Sequence, residues 1–457
     1  MKIKINPEIF RAYDIRGIYP STINEEAAFL IGQAFVKFLK KPRPNIVVGR
    51  DGRLSSPVLF KALTKGIIDQ GGSIIDIGLA ITPMLYFTVA HFKFDGGINI
   101  TASHLPSEYN GFKLVREKAI PISSETGLEE IKKLAIKEKF LKLKEKKGKI
   151  LRKNIISDYL DFNLKDFKIP TFKSLKLVID TANAVPGILT PHLKKRIPAQ
   201  IYPLFEKLDG NFPNHNPDPL IKENLKSLQK EVKNKKVDLG VAFDGDGDRI
   251  IFVDEKAQVI SGDLVTALIS KILLKERMAG RWRPKKKILY DIRSSNIVPE
   301  TIKKSGGIPI PYRIGHALIK EKMRSQNIFF AGELSGHYYH KSHYFCETPL
   351  FVLFGILEEI SKSGKDLSEL IKPFKRYFHT GEINFKVKDK EKTLKLIERK
   401  FKNGQISHLD GLRINFKDWW FLARPSGTED LLRLTIEAKT KKLMLQKKKE
   451  LSSLIKG

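Results

Sequence analysis

The sequence predicts an α/β protein built from several consecutive domains, and three observations carry that reading. The chain has 457 residues, about three or four ordinary domain lengths. Six short β-branched or aromatic runs, at residues 45–49, 97–103, 175–183, 237–248, 287–294 and 329–336, each break off in small and polar residues. Amphipathic, lysine-rich stretches of helical spacing, such as 128–140 and 221–233, lie between them. Continuous apolar runs bounded by turn residues read as strands buried on both faces, and their alternation with helices gives α/β architecture. Loops that follow such strands are where open α/β sheets hold ligands.

Composition shifts near residues 142–153, 254–262 and 361–374 mark three boundaries. The expected domains are therefore 1–150, 151–254, 255–370 and 371–457. The last contains strand-like stretches at 411–416, 419–423 and 431–438, and reads as a smaller α+β module.

Lys and Arg number 83 against 51 Asp and Glu, a net charge of +32, while 41% of the residues are hydrophobic. That apolar content excludes a disordered polyelectrolyte. The charge admits three partner classes: nucleic acid, an anionic membrane surface, or small anions such as phosphate esters. A single cysteine, Cys346, excludes an intrachain disulfide and a cysteine-rich zinc site, and fits a reducing cytoplasm. The first residues lack the apolar core of a signal peptide, and the uncharged apolar run 350–357 is far short of the roughly 20 residues that cross a bilayer. A cytoplasmic protein without a membrane partner is expected.

Four loops carry the chemistry. In Thr101-Ala102-Ser103-His104-Leu105-Pro106, a serine on a tight loop after a buried strand, beside His104 and ahead of Lys113, suits an exposed nucleophile; an ordinary strand-to-turn transition is the alternative. In Asp244-Gly245-Asp246-Gly247-Asp248-Arg249, carboxylates at every second position separated by glycines can wrap one hard cation, with Mg²⁺ favoured. A calcium loop would need its ligand half where Arg249–Val253 reads as a strand. In Gly332-Glu333-Leu334-Ser335-Gly336-His337, Glu333 and Ser335 could read a vicinal diol, although a plain loop fits as well. Arg424-Pro425-Ser426-Gly427-Thr428 combines a guanidinium, two hydroxyls and glycine-exposed amides ahead of a helix or turn, which makes an anion cradle; a polar turn between strands is its rival. The arginines of Tyr13–Gly17 and Gly49–Arg53 fit surface salt bridges as well as ligand contacts.

In this order the motifs, together with FRAYDIRG (10–17), GRDGRLSSP (49–57), NPDPL (216–220) and DWWFLARPSGTED (418–430), resemble the α-D-phosphohexomutase superfamily in its phosphomannomutase/phosphoglucomutase branch, over nearly the whole chain. The resemblance implies three consecutive α/β domains with mixed sheets plus the C-terminal module, around an active site in a central cleft. Their roles would be a phosphoserine-loop domain, a metal-binding domain, a sugar-recognition domain and a phosphate-binding domain. Ser103 would be the phosphoserine and lend a phosphate oxygen to Mg²⁺, held also by Asp244, Asp246 and Asp248. Arg249 and Arg16 would face the transferring phosphoryl group, with His104 and Lys113 in acid/base work and charge stabilisation. Glu333, Ser335 and His337, with His316 and Arg293, would contact the sugar, and Arg424, Ser426, Gly427 and Thr428 would hold the second phosphate. The implied activity interconverts hexose 1-phosphate and hexose 6-phosphate, of mannose or glucose, through hexose 1,6-bisphosphate, with hinge closure of the C-terminal module.

Several positions depart from that pattern. Leu105 and Asn296 stand where Asn and Arg are usual, Asp430 replaces a Pro, and Glu347-Thr348-Pro349 replaces an acidic-acidic-Gly stretch. Thr then Pro is a good N-cap and first-turn pair. With Ser103, His104, Lys113 and all three aspartates present, an active enzyme is expected. A phosphoglucosamine mutase-like activity is the nearest alternative chemistry. A nucleic-acid-binding protein is the alternative from a different class. However, residues 131–154 carry eleven Lys/Arg against two Glu, and 439–457 carry seven Lys against one Glu, on expected helix faces and a tail without aromatic residues interleaved for stacking on bases, Phe140 standing alone. Nucleic acid is thus not the expected partner; a phosphosugar is, with the protein a monomer or weak homo-oligomer.

Overall fold

The computed structural model describes residues 5–137, 140, 148–172, 175–275, 286–426 and 430–456. Gly427 and Thr428 of the expected phosphate cradle, and most of the lysine-rich stretch 138–147, lie outside the described residues. The chain divides into two compact units. The first comprises residues 1–261, 315–330 and 335–368, the second 262–314, 331–334 and 369–457.

The first unit holds two mixed sheets. One is built from β1 (Ile15–Ile18), β2 (Asn45–Arg50), β3 (Ser73–Leu79), β4 (Gly96–Ile100), β5 (Tyr109–Arg116), β6 (Ile120–Pro121) and β7 (Ile150–Arg152). Its order is β1-β5-β4-β2-β3-β7, with β6 beside β5. The pairs β4/β2, β2/β3 and β3/β7 are parallel, while β5 runs antiparallel to both β1 and β4. The second sheet takes β8 (Lys176–Asp180), β9 (Gln200–Leu204), β10 (Leu239–Phe243), β11 (Ile250–Asp254) and β12 (Val259–Ile260) in the order β12-β11-β10-β8-β9. Strands β4 and β10 are buried at every position, so the apolar runs in the sequence report central strands. Both end in a site loop, Ser103 following β4 and Asp244 following β10.

Two helices, α1 (Glu25–Leu39) and α2 (Ser56–Asp69), cover one face of the first sheet and feed a core that includes Ile31, Phe35, Leu59, Leu63, Ile46, Val48 and Ile98. They cross closely because each contributes a glycine. A Cβ on Gly32 would sit 2.4 Å from the Leu63 carbonyl oxygen, and one on Gly66 would sit 2.0 Å from that of Phe29.

In the second unit β13 (Lys287–Asp291) and β14 (Ile308–Tyr312) pair in parallel. The strands β15 (Phe330–Gly332), β16 (Tyr338–His340) and β17 (Cys346–Glu347) follow in the chain, β16 and β17 forming an antiparallel pair within the first unit. The C-terminal module is an antiparallel sheet of β18 (Phe378–Lys386), β19 (Gln405–Ser407), β20 (Leu412–Asn415), β21 (Trp419–Pro425) and β22 (Leu431–Ala438), ordered β18-β22-β21-β20-β19. Ile397, Leu451 and Ile455 from the helices Lys390–Lys400 and Lys441–Lys456 pack on Phe421, Leu434 and Ile436. This is the expected α+β module, although β18 and β19 carried no clear signal.

Two local expectations need correction. The stretch 221–233 begins as a tighter 3₁₀ turn at Lys222–Leu225 before the α-helix Lys226–Lys235, and so starts later than its periodicity suggests. Thr348 does occupy the N-cap position of the helix Pro349–Ser363, but its side chain makes no capping bond and its buried Oγ1 has no partner.

The close crossing of α1 and α2 yields a direct test. Gly66→Ala drives a methyl into a backbone carbonyl that cannot yield without parting the helices, and is expected to destabilise the protein by about 2 kcal/mol. A urea-denaturation midpoint equal to that of the native protein would contradict this packing.

Candidate active site

The first unit gathers the serine, the three aspartates and six basic side chains in one largely buried cluster. The sharp turn after β4 holds Ser103 at φ +53°, in the left-handed region, with its amide donating to Thr101 Oγ1 at 2.9 Å. The Ser103 hydroxyl donates to Asp244 Oδ2 at 2.7 Å, and His104 Nδ1 lies 3.2 Å from Ser103 Oγ. The Asp-Gly-Asp-Gly-Asp loop follows β10. Asp244, Asp246 and Asp248 are buried and offer carboxylate oxygens within 4.8 Å of one another. Glycine is required at position 245, where a Cβ would fall 2.2 Å from the Ser103 carbonyl oxygen, and at 247, where φ is +66°.

Charge balance sets the protonation pattern. Lys113, on β5, donates to Asp246 at 2.7 Å and Asp248 at 2.5 Å. Burial alone would lower the ammonium's pKa, but the two carboxylates outweigh it and raise it well above lysine's ordinary value. Asp248 is buried yet held far below the usual carboxylate range by Lys113 and by His337, whose Nε2 is 3.2 Å away. Burial and its two carboxylate neighbours push Asp244 the other way, well above that range. Asp246 Oδ1 is buried with no hydrogen-bond partner, an orphaned acceptor within the triad. Burial, then Arg249 and Arg16, press His104 well below an ordinary histidine, so its ring is neutral at neutral pH.

Arg249 donates its backbone amide to Asp244 Oδ1 at 3.1 Å and its Nε to His337 Nε2 at 3.2 Å. The other nitrogen of His337 is 3.0 Å from Ser335 Oγ. Arg16 pairs with Asp14 at 2.8 Å and feels the field of Asp246 and Asp248. His316 stacks toward His337 at 6.4 Å between ring centroids and meets the Tyr13 ring edge-on at 5.7 Å. Ser103, His104, Lys113, Asp244, Asp246, Asp248, Arg249, Arg16, His316, Ser335 and His337 thus belong to one unit and one network.

The remaining expected residues fall in the second unit. Arg293 grips Asp291 through two nitrogens, at 2.8 and 3.3 Å, and lies 3.9 Å from Glu333. Asp291 also accepts the Leu334 amide at 2.8 Å, which ties down the loop that carries Glu333. Arg424 stands 3.6 Å from Glu382, which is 3.5 Å from Arg433 as well. Among the described residues Arg424 and Ser426 do not precede a helix: Arg424 lies near the end of β21 and Ser426 just after it, and the next described element is the antiparallel neighbour β22. Asn296, in place of an arginine, accepts from Arg413 at 3.1 Å.

Several partners gave no warning in the sequence. Thr82 braces Asp246 twice, donating its amide to the carbonyl oxygen at 2.8 Å and its hydroxyl to the carboxylate at 2.5 Å, and Asn99 donates to Thr82 at 2.9 Å. Arg53 is no surface salt bridge but a buried side chain beneath the serine loop. The departure Glu347 is one half of a buried ion pair: Lys320 Nζ lies 2.9 Å from both its oxygens, and His316 Nδ1 is 3.4 Å from one of them. A Thr-Pro pair just after a strand-like segment was the one available signal, for Thr82; the others join residues far apart in the chain.

Models of the phosphoglucomutase/phosphomannomutase family match the chain four times in succession. Its α/β/α domains I, II and III match residues 7–142, 157–258 and 261–377, and its C-terminal domain matches 382–453. The chain belongs to the phosphoglucomutase/phosphomannomutase family. A phosphomannomutase of Methanocaldococcus jannaschii is 40% identical over 452 residues, covering 98% of this chain and 97% of the relative. A phosphomannomutase/phosphoglucomutase of Pseudomonas syringae pv. tomato is 37% identical over 440 residues, 94% of this chain and 91% of the relative. A family protein from Burkholderia thailandensis, solved by crystallography, superposes with a TM-score of 0.89 at 31% identity, covering 99% of this chain and 98% of the other. The protein is therefore a hexose-phosphate mutase, an isomerase of carbohydrate metabolism that works by phosphoryl transfer, and its acidic triad is arranged so that it could hold a metal ion. Among the described residues, no helix is long and apolar enough to cross a membrane.

The Lys320–Glu347 pair carries a pH signature. Burial would raise Glu347, but Lys320 and then His316 outweigh it and bring its carboxyl from an ordinary 4.5 down to about 2. A depressed folded-state pKa stabilises the protein fully above the ordinary value, and that contribution drains away as the pH falls from about 4.5 toward 2. Glu347→Gln leaves Lys320 unpaired and is expected to cost about 3–5 kcal/mol at pH 7. The gap between native and variant denaturation midpoints should shrink below pH 4.5; a gap independent of pH contradicts the pairing.

Proposed function

We propose that this mutase interconverts the 1- and 6-phosphates of mannose and glucose by passing a phosphoryl group through Ser103. The observation that carries the reading is the Ser103 hydroxyl, 2.7 Å from Asp244 within a buried acidic triad and ringed by Lys113, Arg249, Arg16 and His104. Phosphoryl transfer asks for positioning and neutralised charge more than for covalent activation. That is the chemistry these fixed cations around one hydroxyl suit.

In the forward half-reaction the ester bond between Ser103 Oγ and phosphorus breaks as a sugar hydroxyl oxygen bonds to phosphorus; the sugar hydroxyl gives its proton to a nearby base and the freed Ser103 oxygen takes one up, so that serine returns as a neutral hydroxyl. The product is hexose 1,6-bisphosphate. The bisphosphate then turns round, its other phosphorus–oxygen bond breaks, and Ser103 recovers a phosphoryl group, so atoms and charge balance over the cycle. Neutral His104 suits the proton transfer. Lys113, firmly protonated between two carboxylates, suits charge stabilisation and cannot serve as a base in that state.

The triad suits Mg²⁺: three hard oxygen donors converge, and one of them, Asp246 Oδ1, lacks any other partner. Asp244, Asp246, Asp248 and an oxygen of the phosphorylated serine would hold the ion, which supplies Lewis-acid neutralisation of phosphate charge when bound. Glu333, Ser335, His337, His316 and Arg293 are assigned to the sugar, and Arg424, Ser426, Gly427 and Thr428 to the phosphate that is not being transferred. Relatives named phosphomannomutase at 38–40% identity favour mannose over glucosamine phosphates.

Incubation of phosphorylated enzyme with mannose 1-phosphate or glucose 1-phosphate and Mg²⁺ is expected to give the 6-phosphate, and conversion of neither sugar would defeat the assignment. Ser103→Ala should lower kcat by at least about 10³-fold, from loss of the phosphoryl carrier. Asp246→Asn should raise the Mg²⁺ concentration at half-maximal rate at least tenfold. An unchanged metal requirement would remove Asp246 from the ligand set.

A further inference from the structure

Arg53 lies between β2 and α2 and is 1% exposed. A guanidinium has five N–H donors in a rigid planar fork, and here all five are engaged. Nε donates to Asp51 at 3.1 Å. Nη1 donates to the carbonyl oxygens of Pro106 at 2.5 Å and Tyr109 at 3.0 Å. Nη2 donates to those of Ser103 at 2.8 Å and Leu105 at 2.6 Å. Three carbonyls of the loop between β4 and β5, and that of Tyr109 at the start of β5, therefore converge on one cation.

The anchor is itself anchored. Asp51 accepts from the Arg53 amide at 3.0 Å and from Ser56 Oγ at 2.6 Å, and Asn110 donates to Ser55 and Ser56 at 2.8 and 3.1 Å. The Phe212 ring lies 5.0 Å from the guanidinium carbon. Burying this charge against a single carboxylate is expensive, and apolar packing would fill the space at lower cost. What apolar packing cannot do is orient four carbonyls and keep Ser103 in its left-handed backbone.

We propose that Arg53 is a positioning residue for phosphoryl transfer: by gripping the carbonyls of Ser103, Leu105, Pro106 and Tyr109 it holds Ser103 Oγ on its line of attack, without touching the substrate. This rests on Ser103 being the phosphoryl carrier. Displacing a reacting atom by about 1 Å can cost about 10²-fold in rate. Because the same oxygen is nucleophile in one half-reaction and leaving group in the other, both directions slow together.

The test compares Arg53→Lys and Ser103→Ala with the native enzyme. Lysine keeps the charge but has three donors and no fork. Arg53→Lys is expected to lower kcat about 100-fold in both directions, to slow phosphorylation of Ser103 by hexose 1,6-bisphosphate as followed by intact mass, and to leave the dissociation constant for hexose 6-phosphate within threefold by calorimetry. A folded Arg53→Lys enzyme with kcat within twofold of native, or a loss confined to the dissociation constant, overturns the proposal. Should that variant not fold, Asp51→Asn, which loosens the guanidinium's anchor, is expected to lower kcat about tenfold with the same unchanged affinity, and full activity there overturns it equally. An active Ser103→Ala enzyme would instead show that the serine reading had failed.

Discussion

Three buried carboxylates within 4.8 Å of one another repel strongly, and the first unit is organised around relieving that repulsion. Two unit charges 4 Å apart in a protein cost about 4 kcal/mol at an effective dielectric near 20. Lys113 answers two of the carboxylates, His337 a third contact, and Arg249 the remaining face through its backbone amide. Gly245, between the first two aspartates, lets the loop come within van der Waals reach of the Ser103 backbone. A serine in this place meets a field made by opposing charges in balance, and a metal ion or a phosphate joining it shifts that balance locally.

This recasts the +32 net charge. The cations in the cluster around Ser103 are few and largely buried, whereas the C-terminal helices Lys390–Lys400 and Lys441–Lys456 bury only Ile397, Leu451 and Ile455, which leaves most of their lysines on the outward side. Charge in such positions can raise the local concentration of dianionic sugar phosphates by long-range attraction. It does not by itself define what the protein acts on; the loops do.

What the sequence made legible follows from locality. The strands β4 and β10 and the loops at their ends could be read because an apolar run and its terminating Ser-His or Asp-Gly-Asp-Gly-Asp segment are contiguous. Lys113 and Arg249 were legible because they lie within ten residues of those loops. Arg53, Thr82 and the Lys320–Glu347 pair were not, since their meaning comes from partners 27 to 164 positions away, and an isolated Arg, Thr or Glu carries no trace of that pairing. Arg424 was read as part of an anion cradle ahead of a helix or turn; among the described residues the next element is strand β22 from Leu431, an outcome that the local Arg-Pro-Ser pattern does not distinguish from a helix start. Glu347 stood out as a departure, yet only the fold reveals that it neutralises Lys320 and lies beside His316.

The central claim is that this network exists to hold one oxygen, Ser103 Oγ, as the carrier of a phosphoryl group. It is tested most directly by mixing the full-length enzyme with hexose 1,6-bisphosphate carrying radiolabelled phosphate, quenching, and mapping the label by peptide. The account predicts one labelled peptide with the phosphate on Ser103, and loss of that label when unlabelled hexose phosphate is added. Label on any other residue, or label on Ser103 that hexose phosphate does not remove, would contradict it.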